Sequence, residues 1–258
     1  MLTFVENVGA SSIRFIEELG RIGVFAAQIA RNVFRPPVRS RLIIKEVYRV
    51  GVLSLSIIGI SGLAVGMVLS LQGYNTLVRF GATESLGAVV GLSLIRELGP
   101  VLTGLLVTGR AGSSITAEIG TMVATEQLDG LRMMSVNPVH LVVVPKAVAM
   151  LFVMPLLSAI FNVLGIFGGY LVGAGLMGAD PGSYLSSLQD AVTFHDDVLG
   201  SLLKALVFGA LVGLIATYRG ITSAPTSAGV SAATTSTVVI ASVSILISDY
   251  FITALWGF

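Results

Sequence analysis

Residues 50–71 read VGVLSLSIIGISGLAVGMVLSL, a stretch of 22 residues without a charged side chain. As an α-helix, a segment of this length extends roughly 33 Å, which is enough to cross the hydrocarbon core of a bilayer. The stretch therefore predicts a transmembrane helix.

The composition of the whole chain agrees with a membrane location. Of the 258 residues, 54% are hydrophobic and 11% are charged, whereas soluble domains have about a quarter of their residues charged. The net charge of +1 argues against nucleic acid as a partner, because that function needs a concentrated basic face. The absence of cysteine excludes disulfide bonds and thiolate metal sites.

Four further apolar stretches follow the first, at residues 86–109, 147–177, 198–218 and 238–256. The second is interrupted by Arg96 and Glu97 and is expected to bend at Gly99-Pro100. The fourth contains one charge, Lys204, and the fifth contains one, Asp249. The chain is therefore predicted to be an all-α integral membrane protein with five transmembrane helices in residues 50–256, in a single domain covering residues 1–258.

The distribution of basic residues predicts the orientation. Eight of the fifteen Lys and Arg residues precede the first span: Arg14, Arg21, Arg31, Arg35, Arg39, Arg41, Lys45 and Arg49. The positive-inside rule places the N-terminus in the cytoplasm, and five spans then place the C-terminus on the other side. The loop after the third span agrees with this orientation, because it contains four Asp residues (180, 190, 196 and 197) and no Lys or Arg.

The N-terminal segment, residues 1–37, shows the periodicity of an amphipathic helix that ends at Pro36-Pro37. Its apolar residues recur three or four positions apart: Phe15, Leu19, Ile22, Ala26, Ile29 and Val33. This pattern fits a helix in the membrane interface. It fits equally well a helix packed against the protein's own spans, and the sequence leaves both interpretations open.

Motifs for catalysis, metals and cofactors are missing from the sequence. There is no G-x-S-x-G and no H-E-x-x-H. Residues 104–111, GLLVTGRA, have the glycine spacing of a P-loop but lack its Lys and its Ser or Thr, and they follow an apolar helix rather than a strand. The chain is therefore not expected to be an enzyme or to bind ATP. Instead, glycines four residues apart, such as Gly62 and Gly66, predict close helix packing.

A polar segment, residues 111–138, separates the second and third spans and reads AGSSITAEIGTMVATEQLDGLRMMSVNP. Its apolar residues are at helical spacing, and its charged residues offer a polar side, which predicts a short cytoplasmic helix. Spacing alone favours an ordinary amphipathic connector.

Family resemblance gives this segment a more specific meaning. Residues 97–122, ELGPVLTGLLVTGRAGSSITAEIGTM, together with TEQLDGLRMMSVNP at 125–138 and Val144-Pro145-Lys146, resemble the signature of the MlaE (YrbE) permease family. Residues 224–235, APTSAGVSAATT, resemble a second stretch of that family, with Ala232 where the family often has Arg. The resemblance covers nearly the whole chain.

The resemblance implies a function and partners. Members are permease subunits of ABC transporters in the bacterial inner membrane, which move phospholipids to and from a periplasmic carrier route and maintain outer-membrane lipid asymmetry. They form homodimers with a cytoplasmic ABC ATPase subunit, which can carry a small accessory subunit, and with a periplasmic hexamer of MCE-domain subunits. Residues 111–138 would then be the segment that couples to the ATPase, with five candidate contacts: Glu118, Met122, Glu126, Asp129 and Arg132.

The charges within the spans allow two interpretations, because an isolated charge in a membrane helix is costly and commonly functional. Lys204 could pair with Asp249 and Glu97 and only fix the packing of the helices. Alternatively, Lys204 and Arg96 could bind a lipid phosphate in a cavity at the dimer axis. The candidate apolar walls of such a cavity are Val65, Val68, Leu69, Tyr74 and Leu94.

Two other classes of protein fit the sequence less well. A stand-alone ion-driven transporter or channel would be expected to show an internal repeat, and five spans do not divide into equal halves. An intramembrane enzyme would need a nucleophile and base or a metal site, and neither is recognisable in the sequence.

Overall fold

The structure is a computed structural model that describes residues 2–33 and 40–256, with side chains described in these ranges except at residues 2–12, 14, 15 and 256. The described chain contains no strand and consists of helices joined by short turns. Its α-helices are α1 (Leu2–Val33), α2 (Ser40–Val50), α3 (Leu55–Phe80), α4 (Leu86–Ser93), α5 (Gly99–Val107), α6 (Ser113–Ala124), α7 (Gln127–Met133), α8 (Val144–Gly173), α9 (Pro181–Ala191), α10 (Leu199–Ile221) and α11 (Ser227–Trp256). The predicted helix end at Pro36-Pro37 lies outside the described residues.

The prediction of five spanning helices is confirmed. Within the described residues, five helical segments are long and apolar enough to cross a membrane: Ser40–Phe80, Thr83–Ala124, Val139–Gly173, Phe194–Ile221 and Ser227–Leu255. The first two contain 41 and 42 residues. Since a helix of that length extends about 60 Å and the hydrocarbon core is about 30 Å thick, each of these two segments continues well outside the core.

The second span was predicted to cover residues 86–109, and the helical segment that contains it continues beyond this apolar stretch to Ala124. The small polar residues after Arg110 do not interrupt the helix, and one of them, Thr116, packs between helices. The Thr116 hydroxyl is buried and lies 3.0 Å from the carbonyl oxygen of Ala216 in α10 and 3.0 Å from Thr237 Oγ1 in α11. Side chains of this kind suit an interior where three helices approach closely.

The predicted bend in the second span corresponds to a π-helical turn, Leu94–Leu98, which ends directly before Gly99-Pro100. Proline has no N–H and its ring clashes with a carbonyl one turn earlier, so a wider turn before it relieves both problems. A second π-helical turn, Val139–Val143, precedes Pro145 in the same way. These turns change the direction of the helices without ending them.

Glycines hold α3 and α8 together, as the four-residue spacing predicted. A methyl group on Gly66 would overlap the backbone of Gly165, and one on Gly62 would lie 2.8 Å from the carbonyl oxygen of Phe161. The two backbones therefore touch along this face. The main core lies beside this contact and includes Ile58, Leu94 and Phe161.

The C-terminal part of α1 packs against the protein's own spans, which decides between the two interpretations left open for its apolar face. Phe25 and Ile29 are buried against Val144 and Tyr218, and the Phe25 and Tyr218 rings are 5.6 Å apart. Earlier along the helix, apolar residues such as Ile16 and Leu19 are exposed. That earlier part retains the amphipathic character suited to a membrane interface.

Candidate functional site

A cluster of ionic groups lies inside the helix bundle and is centred on Lys204 of α10, whose side chain is 1% exposed. Its ammonium donates to the carbonyl oxygen of Arg96 at 2.9 Å, to Glu97 Oε1 at 3.0 Å and to Thr253 Oγ1 at 2.8 Å. Asp249 Oδ1 lies 3.3 Å from the same nitrogen. The cluster therefore joins the second, fourth and fifth spans, and the ion pair predicted from isolated charges is present.

The two acidic members of the cluster are less enclosed than the lysine. The side chain of Glu97 is 40% exposed and that of Asp249 is 17% exposed. Lys204 uses its three N–H groups within the protein. The accessible side of the cluster is therefore acidic, although the sequence had pointed to cations as the groups that would meet a ligand.

Arg96 has a different partner, which the sequence did not indicate. Its Nε donates to Asp197, a fully buried carboxylate that also accepts from the backbone N–H and the hydroxyl of Thr193. Asp197 was predicted to lie in the external loop, but it lies in a π-helical turn, Phe194–Val198, at the start of the fourth span. Arg96 is partly exposed, whereas the carboxylate of Asp197 is fully buried and therefore requires a cation and hydrogen-bond donors.

The apolar residues proposed as cavity walls do not form one surface in this chain. Leu94 is fully buried in the main core. Val65, Leu69 and Tyr74 are partly buried and pack against that core. Val68 is exposed. Among these five residues, Val68, on the outward part of α3, is the one whose side chain is exposed in this chain.

The segment predicted to contact an ATPase divides into two parts. Glu126, Asp129 and Arg132 are exposed at or within α7, and Asp129 pairs with Arg132 at 2.7 Å. Met122, one helix earlier, is partly buried against the main core. Glu118 points toward other helices and takes part in a second ionic cluster.

This second cluster joins α2, α6 and α8. The buried Lys146 Nζ lies 2.9 Å from Glu46 Oε1 and 2.9 Å from Glu118 Oε2, while Arg49 Nη1 lies 2.8 Å from Glu118 Oε2. Arg110 donates through Nη1 to the carbonyl oxygens of Arg49 and Val50. Sequence reasoning missed this cluster; the only signal was the charge at Glu46 and Lys146 beside apolar stretches.

This fold and these sites define the class of the protein: it is a multi-pass α-helical membrane protein with ionic clusters buried in its helix bundle. The model of the family "Permease MlaE" matches residues 43–255. The chain therefore belongs to the MlaE permease family.

Curated relatives support this assignment over nearly the full length. The chain is 46% identical to the intermembrane phospholipid transport system permease protein MlaE of Haemophilus influenzae, with 99% of this chain and 98% of that protein covered. It is 42% identical to a probable ABC transporter permease protein of Rickettsia bellii, with 99% and 98% covered. It is 36% identical to one of Synechocystis, with 87% and 85% covered.

Proposed function

We propose that this chain is the membrane-spanning permease subunit of an ABC transporter that moves phospholipids between the bacterial inner membrane and a periplasmic MCE-protein route, maintaining outer-membrane lipid asymmetry. The observation that carries the proposal is the 46% identity, over nearly the full length, to a permease named for intermembrane phospholipid transport. The absence of catalytic motifs in the sequence fits a subunit whose ATP hydrolysis takes place in a partner.

The orientation within the proposal follows from charge. The basic residues before the first span support a cytoplasmic N-terminus, and with five spans the C-terminus would then lie in the periplasm. In this orientation α7 lies on the cytoplasmic side and α9 on the periplasmic side.

The proposed contact with a cytoplasmic ABC ATPase is the exposed face of α7. Leu128 is buried and anchors the helix, while Asp129, Arg132 and Met133 face outward. The helix lies between two non-glycine residues in the left-handed conformation, Glu126 with φ 56° and Ser135 with φ 58°. Such residues cost about 1 kcal/mol or more each and are concentrated at functional segments.

The proposed homodimer interface includes α11, the least enclosed of the spans. Within the 18-residue apolar stretch of α11, 11% of the residues are buried. In the corresponding stretch of each of the second, third and fourth spans, 44% are buried. Its open face carries small and hydroxylated side chains: Ala228, Ser231, Ala232, Thr235 and Ser236. Hydroxyl groups are poorly suited to lipid, and small residues permit close approach of another helix, so a second copy would satisfy this face.

Two further partners complete the proposed complex, and both are supported by the family resemblance alone. A hexamer of MCE-domain subunits would lie against the periplasmic side, where Asp180 caps the start of α9. A small accessory subunit would bind the ATPase.

Lipid recognition is proposed at the Lys204 cluster, where the headgroup would meet the accessible carboxylates of Glu97 and Asp249 and the outward residues of α3 would meet the acyl chains. The partly exposed Glu97 supports this assignment because a carboxylate open to a cavity can pair with a headgroup ammonium. The phosphate would then compete with these carboxylates for the cations of Lys204 and Arg96.

Reconstitution tests the proposed function. The chain is incorporated in proteoliposomes with its ATPase and MCE partners, and transfer of a fluorescent phospholipid to or from a carrier protein is measured. We expect transfer that requires both ATP and the ATPase. Transfer driven by an ion gradient in the absence of the ATPase would contradict the proposal and favour a secondary transporter.

A further inference from the structure

A small cavity lies beside the second ionic cluster, where α2 and the turn after it, Val52–Ser54, meet α6 and the turn before it, Thr108–Gly112. Its volume is about 100 Å³, and its lining residues are Glu46, Arg49, Val50, Leu53, Arg110, Ala111, Ser114, Ile115 and Glu118. It is distinct from the Lys204 cluster, with which it shares no residue. One wall is ionic and the other is apolar.

The charges around this cavity do not balance. Lys146 and Arg49 pair with the carboxylates of Glu46 and Glu118 at 2.8–3.4 Å. Arg110 has no carboxylate partner among the described residues and is next to a like charge on Arg49. Two cations, Arg49 and Arg110, and two anions, Glu46 and Glu118, line the cavity. Lys146 lies behind them and pairs with both glutamates, so the cluster as a whole has three cations for two anions and Arg110 keeps its positive charge uncompensated.

Arg110 has donors available in the direction of the cavity. Its Nη1 is engaged by the carbonyl oxygens of Arg49 and Val50 and by Ser54 Oγ at 2.8–3.2 Å. Within the part of the chain that the structure describes, Nε and Nη2 make no hydrogen bond. A guanidinium held by one nitrogen presents the others in a fixed orientation, which suits recognition of a phosphate.

Other residues of the cavity fit the same ligand. Ser114 is exposed, follows Arg110 by four residues, and has a hydroxyl without a partner among the described residues. The apolar wall includes Ile115 and Leu53, and Leu53 is 50% exposed toward the outside of the bundle. A cavity with a cation on one side and an apolar, outward-open wall on the other fits a phosphodiester attached to acyl chains better than a free anion.

The position of the cavity agrees with this ligand. Arg49 and Val50 mark the point at which the charged α2 gives way to the uncharged stretch 50–71. In the proposed orientation this boundary lies at the headgroup level of the cytoplasmic leaflet, where phosphates are concentrated.

We infer that this cavity binds the phosphate of a glycerophospholipid of the cytoplasmic leaflet, with Arg110, Arg49 and Ser114 as the phosphate ligands. It is a second lipid site at the cytoplasmic end of the helix bundle, whereas the proposed route to the MCE subunits is at the periplasmic end. The inference rests on the orientation and the lipid-transport function proposed above, and it adds the place where the chain contacts lipid on the cytoplasmic side.

Photo-cross-linking to the full-length chain in detergent tests the inference without the ATPase. The probe is phosphatidylglycerol with a photoreactive group near the glycerol, and adducts are mapped by peptide mass spectrometry. We expect adducts at residues 50–53 and 111–118. Arg110→Gln should reduce them about tenfold and Ser114→Ala about threefold, because each removes a phosphate ligand. Arg110→Lys should retain more adduct than Arg110→Gln.

Controls separate this site from general lipid contact. Arg79→Gln removes an exposed arginine near the other end of α3 and should leave the adducts unchanged. Photoreactive diacylglycerol, which lacks the phosphate, should label the cavity weakly; equal labelling would overturn phosphate recognition. Displacement by millimolar inorganic phosphate would overturn the lipid assignment in favour of a free anion.

The stability of the variants keeps the result interpretable. Ser114→Ala changes an exposed helical residue and should not affect folding. Unchanged labelling in both Ser114→Ala and Arg110→Gln would mean that Arg110 only caps the carbonyls at the end of α2, and would overturn the inference. If ATP-driven lipid transfer by the complex persists in that case, the proposed function stands while the second site does not. Absence of ATP-driven transfer with the chain of unchanged sequence would instead overturn the proposed function.

Discussion

Replacing Lys204 by Met is the most informative perturbation of the Lys204 cluster. The change keeps the side-chain volume but removes a cation that forms three hydrogen bonds of 2.8–3.0 Å and one ion pair at 3.3 Å. Because 40% of the Glu97 side chain is exposed, the penalty is expected to fall mainly on Asp249, which is 17% exposed. Breaking a buried pair costs about 3–5 kcal/mol, and we expect a loss near the lower end of this range.

A double variant tests the reasoning directly. Lys204→Met with Asp249→Asn removes the uncompensated charge, and replacing a buried pair by neutral groups is often close to neutral in stability. The double variant should therefore recover to within about 1 kcal/mol of the unchanged chain. Lys45→Met, at an exposed lysine of α2, serves as the control and should have no effect.

The assay is unfolding of the purified chain by SDS titration, followed by the helical circular dichroism signal, together with lipid transfer in the assembled complex. A loss below about 1 kcal/mol for Lys204→Met, or a double variant as unstable as the single one, would refute the ion-pair argument. If the double variant is stable and assembled but does not transfer lipid, the cluster binds the headgroup. If transfer recovers with stability, the cluster is only structural.

Three other perturbations give equally definite expectations. Gly66→Ala should lower the free energy of unfolding by about 1–3 kcal/mol in the same SDS assay, because the methyl group overlaps the backbone of α8, whereas Gly23→Ala meets no atom and should be tolerated. Asp129→Lys should weaken co-purification of the ATPase without lowering stability, since its ion pair is exposed; unchanged co-purification would argue against α7 as the docking surface. Asp180 should titrate below its ordinary value in carboxyl NMR, because hydrogen bonds from the backbone and hydroxyl of Ser183 lower its pKa. The stabilisation that ionised Asp180 gives to the start of α9 is then fully present above the pKa of this residue in the unfolded chain, and it is lost as the pH falls through the lower pKa of the folded chain. Titration at or above the ordinary value would contradict this capping role.

Much of the fold could be predicted from the sequence, but the boundaries could not. The stretches around residues 50–71 and 147–177 gave two spans because length and lack of charge suffice. The sequence did not show that the helix of the second span continues to Ala124, because the partner on α11 that accommodates a polar residue such as Thr116 is unknown from sequence. The contact residues proposed for α7 remain a prediction.

The candidate sites divide in the same way. Lys204 and Asp249 were found from the sequence because a lone charge in an apolar helix is conspicuous and requires a partner. Asp197 was missed because it lies at the edge of a span, where a charge is unremarkable. Glu118 was assigned to an ATPase surface, and only its inward contact with Lys146 shows that it also joins helices.

The sequence by itself determined that this protein resides in a membrane, that it crosses with five helices, and which family it belongs to. These properties depend on apolar length, on the number of charges and on residues close together in the chain. The tertiary structure alone decided the membership of the two ionic clusters and the cavity beside Arg110. The physical reason is that their members lie far apart in sequence, 107 positions for Glu97 and Lys204 and 100 for Glu46 and Lys146, so that only the packing of whole helices brings them within hydrogen-bond distance.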